Sequence, residues 1–233
     1  TTGGTAIENG DDVSTWAGAQ RVVATAIETF GRLDVVVNNA GILRDRMLVN
    51  MTEEEWDDVI RVHLKGTFGP THFAAAYWRE RSKSGEAVDA RVINTSSTSG
   101  LFANPGQSNY GAAKSGIATL SIIAAKELGR YGVTVNAIAP GALTRMTEPL
   151  SGSRAAPQVG EWNERAPENV APLVTWLASP QSAGVTGQVF LVSGGRIAIA
   201  TGWGRGPGVD RGARWEPNEL GAVVQKLVAE AQS

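Results

Sequence analysis

Residues 93–114 read INTSSTSGLFANPGQSNYGAAK, and the texture changes twice within them. Arg91 to Thr95 is a β-branched run of strand length. A Ser-, Gly- and Pro-rich stretch ends it, and from Asn109 to Tyr131 small and apolar residues recur at helical spacing. A strand passing through a loop into a long helix is the building unit of a parallel sheet. Within that unit, Tyr110 and Lys114 stand four apart and share one helix face, while Ser97 sits at the strand's end. An ammonium beside a phenol favours the phenolate, so the spacing predicts that Lys114 lowers the Tyr110 pKa from its ordinary value near 10 toward the range of proton transfer. Ser97 could then hydrogen-bond the same substrate oxygen.

The same alternation continues outward. Strands are predicted at Thr5 to Glu8 running into Asp12, at Leu33 to Val37, Thr134 to Ala139 and Val189 to Val192. Helices are predicted at Ser14 to Phe30, Thr52 to about Arg81, Pro167 to Leu177 and Pro217 to Gln232. Thr52 with Glu55 reads as a capping box, Ser14 precedes an amphipathic run, and Gly31 ends that first helix. The apolar set Trp16, Ala19, Val22, Val23, Ala26, Ile27 and Phe30 keeps a 3.6-residue period, so one stripe faces a sheet. The fold class is therefore α/β, a doubly wound parallel sheet with helices on both faces.

Composition narrows the chemistry. Across 233 residues, 21 Lys and Arg meet 23 Asp and Glu, a net charge of -2 that gives no reason to expect nucleic acid as a partner. Zero cysteine excludes disulfides, Cys-ligated zinc, iron–sulfur clusters and cysteine nucleophiles; it fits a reducing compartment, and a cytoplasmic location is expected. The uncharged stretches Ser115 to Ala125 and Gly132 to Thr144 fall short of the roughly 18 apolar residues that a membrane span needs.

Ser97, Tyr110 and Lys114 match Ser-x12-Tyr-x3-Lys, and here the chain resembles the short-chain dehydrogenase/reductase family. The resemblance runs on in order. Asp12 and Val13 look like the pair that meets the adenine, Asn38-Asn39-Ala40-Gly41 looks like the family's NNAG turn, and Pro140, Gly141 and Thr144 look like the loop that holds the nicotinamide carboxamide. The resemblance implies cofactor contacts from Asp12, Val13, Asn39, Ala40, Gly41, Tyr110, Lys114, Pro140, Gly141 and Thr144. It also implies Tyr110 as the proton carrier, Lys114 on the ribose hydroxyls, and Ser97 on the substrate oxygen. His63 stands where the family has its fourth catalytic residue, an Asn, and reads either as a proton shuttle or as a packed histidine.

The segments Gly41 to Arg46, Val62 to Phe68, Arg145 to Thr147 and Val170 to Leu177 are similar to the (3R)-hydroxyacyl-CoA dehydrogenase part of multifunctional enzyme type 2. That subgroup implies NAD, with NADP as the alternative, and an acyl-thioester or steroid-like small-molecule substrate. A 3-oxoacyl-carrier-protein reductase shares the triad, and a silent scaffold of the same fold is the non-enzyme alternative. The family also implies a homo-oligomer, dimer or tetramer, through the helices at Thr52 to Arg81 and Asn109 to Tyr131; Trp78 and Phe73 on the first suit such a surface and suit a core equally.

The family's opening strand and Thr-Gly-x3-Gly-x-Gly turn are not found ahead of Thr5, and the residue that separates NAD from NADP belongs to that region. About 60 residues, two βα units, are expected upstream of Thr1 in the native protein. Thr201 to Gly208 fits the glycine pattern formally, but Pro207 removes a donor and no apolar helix follows, so it reads as a Gly-rich loop. The chain is thus one Rossmann-type domain, 1–233, N-terminally incomplete, with 195–233 as a loop and C-terminal helix. Met146 to Trp162 suits either a mobile lid over the substrate or a plain connection.

Overall fold

Strand β2 (Ala90–Thr95) is buried at all six positions, because a parallel strand lies on each side of it and helices cover both its faces. Its neighbours are β1 (Val35–Asn38) and β3 (Val133–Gly141), followed by β4 (Val189–Ser193), also parallel. β5 (Arg196–Ile199) folds back antiparallel on β4, which gives the order β1-β2-β3-β4-β5. The computed structural model describes residues 3–143 and 162–231. They form two compact units, 1–200 and 201–233.

The period-2 alternation of buried strands sorts the core into two layers. On one face, Ala90, Val92, Val133 and Val135 pack against Val23 of α1 (Trp16–Phe30), Ala74 and Trp78 of α3 (Gly66–Lys83), and Ala124 and Ala125 of α5 (Ser108–Leu128). On the other, Ile93, Ile138, Phe190 and Val192 meet Leu173 and Leu177 of α6 (Ala171–Leu177). Trp78 is 1% exposed and donates its indole N–H to the Leu33 carbonyl at 2.6 Å. Of the two roles open to it, it therefore takes the core.

Local chemistry sets the helix ends much as expected. Thr52 and Glu55 form the reciprocal capping box that starts α2 (Glu53–Val59). Gly31, at φ 75°, closes α1 in the left-handed conformation that costs other residues a Cβ clash. At the start of α1 the cap is Thr15, whose hydroxyl accepts from Gly18 N–H; Ser14 turns inward to Asp12. The predicted Thr52–Arg81 helix is interrupted by a π turn, Ile60–Lys65, between α2 and α3. Apolar periodicity does not register one residue of extra winding.

Two expectations fail. Thr5 to Asp12 forms no strand; a strand exists only through ladder partners, and among the described residues none pairs with this segment or with the outer edge of β1. An apolar groove follows that edge, lined by Val13, Val23, Ala26, Val36 and Asn39. The second miss is β5, which falls at the start of the 195–233 segment expected to be a loop. In the second unit, 201–216 carries no helix or strand, and a 3-10 turn, Pro217–Glu219, leads into α7 (Leu220–Ala231). The glycine pattern of Thr201 to Gly208 accordingly opens no helix.

Candidate active site

The parallel strands end in one line, and ligands of such sheets sit beyond the carboxyl ends of the strands. There β1 delivers Asn39, Ala40 and Gly41, β2 delivers Ser96 and Ser97, and β3 delivers Pro140 and Gly141. Asn38 itself is buried and donates to Thr71 Oγ1 and Asn94 Oδ1, so it serves as a tie between elements. Asn39 faces the strand ends, where its side-chain oxygen accepts from Thr95 Oγ1 at 3.0 Å.

Ser97 is the cap of the short helix α4 (Thr98–Phe102), its hydroxyl accepting from Ser99 N–H at 3.2 Å. Its hydroxyl also faces the phenol of Tyr110, on the first turn of α5, and favours the ionised form of that phenol. Lys114, one turn on, is 3% exposed; its ammonium donates to Thr95 O at 2.6 Å and lies 5.6 Å from the centre of the Tyr110 ring. Ser96 Oγ in turn donates to Lys114 O, which locks the end of β2 onto α5. Strand and helix thus bring together the three residues that the spacing singles out.

The electrostatics differ from expectation. Burial pushes the Tyr110 phenol above its ordinary pKa of 10, the Ser97 hydroxyl pulls it down in part, and the Asp45 carboxylate raises it again. Burial lowers Lys114 itself to about 8, and its ammonium donates to the Thr95 carbonyl. Tyr110 therefore stands as a neutral phenol at physiological pH.

His63 occupies the π turn and is 1% exposed. Its ring meets Tyr110 edge-on at 5.1 Å, and Nε2 lies 2.7 Å from Ile42 O. The Ile42 N–H also points at Nε2, at 3.0 Å, so the tautomer decides whether Nε2 donates to the carbonyl or accepts from the amide; Nδ1 is buried without a partner. Burial, reinforced by the Lys114 charge, lowers its pKa to about 4. A cationic shuttle is disfavoured there, and of its two sequence readings the neutral, packed one describes His63 better. Gly41 is what admits the ring, since a Cβ at 41 would stand 2.4 Å from His63 Cε1.

Asp12 accepts from Ser14 N–H and Oγ, which hold its carboxyl below the usual range, and pairs with Arg61 at 3.5 Å. It stands with Val13 beside the β1 groove. Thr144, the segment Arg145 to Thr147 and nearly all of Met146 to Trp162 lie outside the described residues.

One group of residues escapes sequence reading altogether. Gln107 donates to Asp45 Oδ2 at 2.7 Å, and Asn109, fully buried, donates to Arg44 O and Glu55 O at 3.0 Å each. These contacts join positions 54 to 65 apart in the chain. The only signal was that both partners flank residues already quoted, Gly41 and Tyr110.

The donor set suits a nicotinamide nucleoside. Lys114 keeps two ammonium N–H groups beyond the one on Thr95 O, and Asn39 and Ala40 are exposed at the end of the neighbouring strand. Among the described residues no glycine-rich strand-to-helix turn is present for a pyrophosphate. Within those same residues no group of His, Asp and Glu could hold a metal ion.

The chain is similar to several known proteins. The family model described as enoyl-(acyl carrier protein) reductase, of the short-chain dehydrogenase type, matches residues 3–196. A hydroxyacyl-CoA dehydrogenase of Mycobacterium tuberculosis is 45% identical over 97% of this chain and 72% of its own length. The peroxisomal multifunctional enzyme type 2 of Mus musculus is 40% identical over 96% of this chain, which spans only 26% of that protein. A crystal structure of a short chain dehydrogenase from Mycobacterium avium superposes with a TM-score of 0.90 at 56% identity, covering 98% of this chain and 76% of that one.

Proposed function

This chain belongs to the short-chain dehydrogenase/reductase family, and on that footing we propose that it interconverts a 3-hydroxyacyl and a 3-oxoacyl thioester, with NAD as the cofactor. The observation that carries the reading is the buried Lys114 one helical turn from Tyr110, with the Ser97 hydroxyl facing the phenol, at the carboxyl ends of the strands. The nicotinamide supplies the hydride in reduction and accepts it in oxidation.

The chain's own residues do the rest. In reduction, Tyr110 gives its phenolic proton to the carbonyl oxygen as the hydride reaches the carbon, and Ser97 donates a hydrogen bond to that oxygen as charge develops. In oxidation the same two residues work in reverse from the ionised form: the phenol first gives up its proton to solvent, and the tyrosinate then takes the hydroxyl proton as the hydride leaves the carbon. A neutral phenol is the form that reduction needs. Lys114 holds ribose hydroxyls with its remaining N–H groups, Asn39, Ala40, Gly41, Pro140 and Gly141 line the nicotinamide side, and Asp12 and Val13 meet the adenine. His63 acts as a neutral ring packed edge-on against Tyr110.

The thioester is favoured because the hydroxyacyl-CoA dehydrogenase and the multifunctional enzyme match nearly the whole chain, whereas a 3-oxoacyl-[acyl-carrier-protein] reductase of Thermotoga maritima matches 76% of it at 42% identity. The direct test is turnover of a (3R)-hydroxyacyl-CoA and of a hydroxysteroid with NAD and with NADP, comparing wild type with Tyr110→Phe. Turnover of the thioester with NAD, falling about 100- to 10,000-fold in Tyr110→Phe, is the expected result. Steroid turnover alone, or equal rates in both proteins, overturns it. The helices α3 and α5 pair two copies in the assembly we expect, which sedimentation would read.

A further inference from the structure

Tyr110 stands in the first turn of the 21-residue helix α5, the part of a helix least able to hold itself. The first N–H groups of a helix have no carbonyl one turn back to bond, and Gln107, at the cap position, gives α5 no side-chain cap. Fraying there would carry the phenol away from Ser97. Asn109 supplies what is missing. Its Oδ1 accepts from Tyr110 N–H at 2.7 Å, so the residue before the tyrosine caps the tyrosine's own amide.

The nitrogen of the same side chain reaches out of the helix. Nδ2 donates to Arg44 O, three residues beyond Gly41, and to Glu55 O of α2, at 3.0 Å each. Both receiving segments are held in turn: Glu55 by the Thr52 capping box and its pair with Arg46, and the loop by Arg46 N–H, which donates to Gly106 O at 2.8 Å. Asn109 is fully buried, and its two N–H groups and its oxygen are all in use. Ser brings one donor and an ionised Asp none, so among short polar side chains the primary amide alone satisfies two carbonyls and one N–H from this position.

We propose that Asn109 is a positioning residue for Tyr110: it locks the helix turn that carries the phenol to the loop following Gly41, and its work shows in turnover rather than in cofactor affinity. The proposal rests on the reading of Tyr110 as the proton carrier. The cofactor side has its own anchor in Thr95, whose hydroxyl donates to Asn39 Oδ1 and whose carbonyl accepts from Lys114 Nζ. Neither bond passes through Asn109. Loosening the first turn of α5 therefore displaces the phenol and leaves Asn39 and Lys114 in place, and a misplacement of about 1 Å costs on the order of 100-fold in rate.

The test is a double-mutant cycle on the full chain, with reduction of a 3-oxoacyl-CoA and NADH affinity by calorimetry as its two readouts. Asn109→Ser should lower kcat about 10- to 100-fold while NADH affinity stays within about twofold. In the Tyr110→Phe background the same substitution should change the residual turnover less than about twofold, because the group it positions is gone. If Asn109→Ser does not fold, Asn109→Thr, which fills more of the volume and adds no charge, makes the same measurement. An unchanged kcat, a loss of NADH affinity in step with kcat, or the same factor in both backgrounds overturns the proposal. Full turnover in Tyr110→Phe alone overturns the reading of Tyr110 instead, and that result is seen in a protein with Asn109 intact.

Discussion

Asn38 and Asn94 face each other across the β1–β2 ladder and share a hydrogen bond, Nδ2 to Oδ1 at 2.8 Å, with both residues buried. The bond sets the strand that ends in Asn39-Ala40-Gly41 level with the strand that ends in Ser97. Asn94 passes it on to Ser121 of α5 and Asn38 to Thr71 of α3, so one polar thread pins two strands and two helices beneath the site.

Asn38→Ala should therefore destabilise the protein by about 2–4 kcal/mol, because it leaves Asn94 Oδ1 unpaired in the core and opens a small void. Urea unfolding should show the midpoint falling with little change in slope. A loss within experimental error would mean that water reaches this ladder.

Gly41→Ala places a Cβ against the His63 ring and should cost about 1–3 kcal/mol. The clash is with a side chain, so it can be relieved from the other side. In the double variant Gly41→Ala/His63→Ala the added methyl should cost much less than in the wild-type background, a coupling that a double-mutant cycle measures. Strict additivity would show that the ring already has room.

The low pKa of His63, about 4 in the folded chain against an ordinary 6.5, carries a sign for stability. Between these values the unfolded chain binds a proton that the folded chain refuses, so stability falls as pH drops from about 6.5 toward 4, by on the order of 3 kcal/mol in full. His63→Gln should remove that part of the acid sensitivity. Unfolding free energies at pH 7 and pH 4.5 for both proteins would show it, and parallel losses would place the sensitivity elsewhere.

Gly204 and Gly206 lie in a stretch with no helix after it until beyond the turn at Pro217. Replacing both with Val should leave NADH affinity within about twofold, as read by calorimetry. A large loss would restore the phosphate-binding reading that the glycine spacing alone suggests.

Much of this was legible in the chain itself, and for a local reason. Strand β2, helix α5, the Thr52 box and the Gly31 cap follow from side chains within four residues of one another, and Ser97, Tyr110 and Lys114 fall on a single strand–loop–helix unit whose geometry places them together. The segment Thr5 to Asp12 shows the limit of that logic, since its pattern is strand-like and its conformation is decided by whether a neighbour supplies hydrogen bonds.

What only the tertiary structure decided is the environment of those residues. The direction of the Tyr110 pKa shift depends on burial and on Asp45; the neutrality of His63 depends on a π turn and on Lys114; the role of Trp78 depends on the Leu33 carbonyl. Each is set by groups brought near through space, and the free energy of a charge depends on its surroundings, which no local spacing encodes.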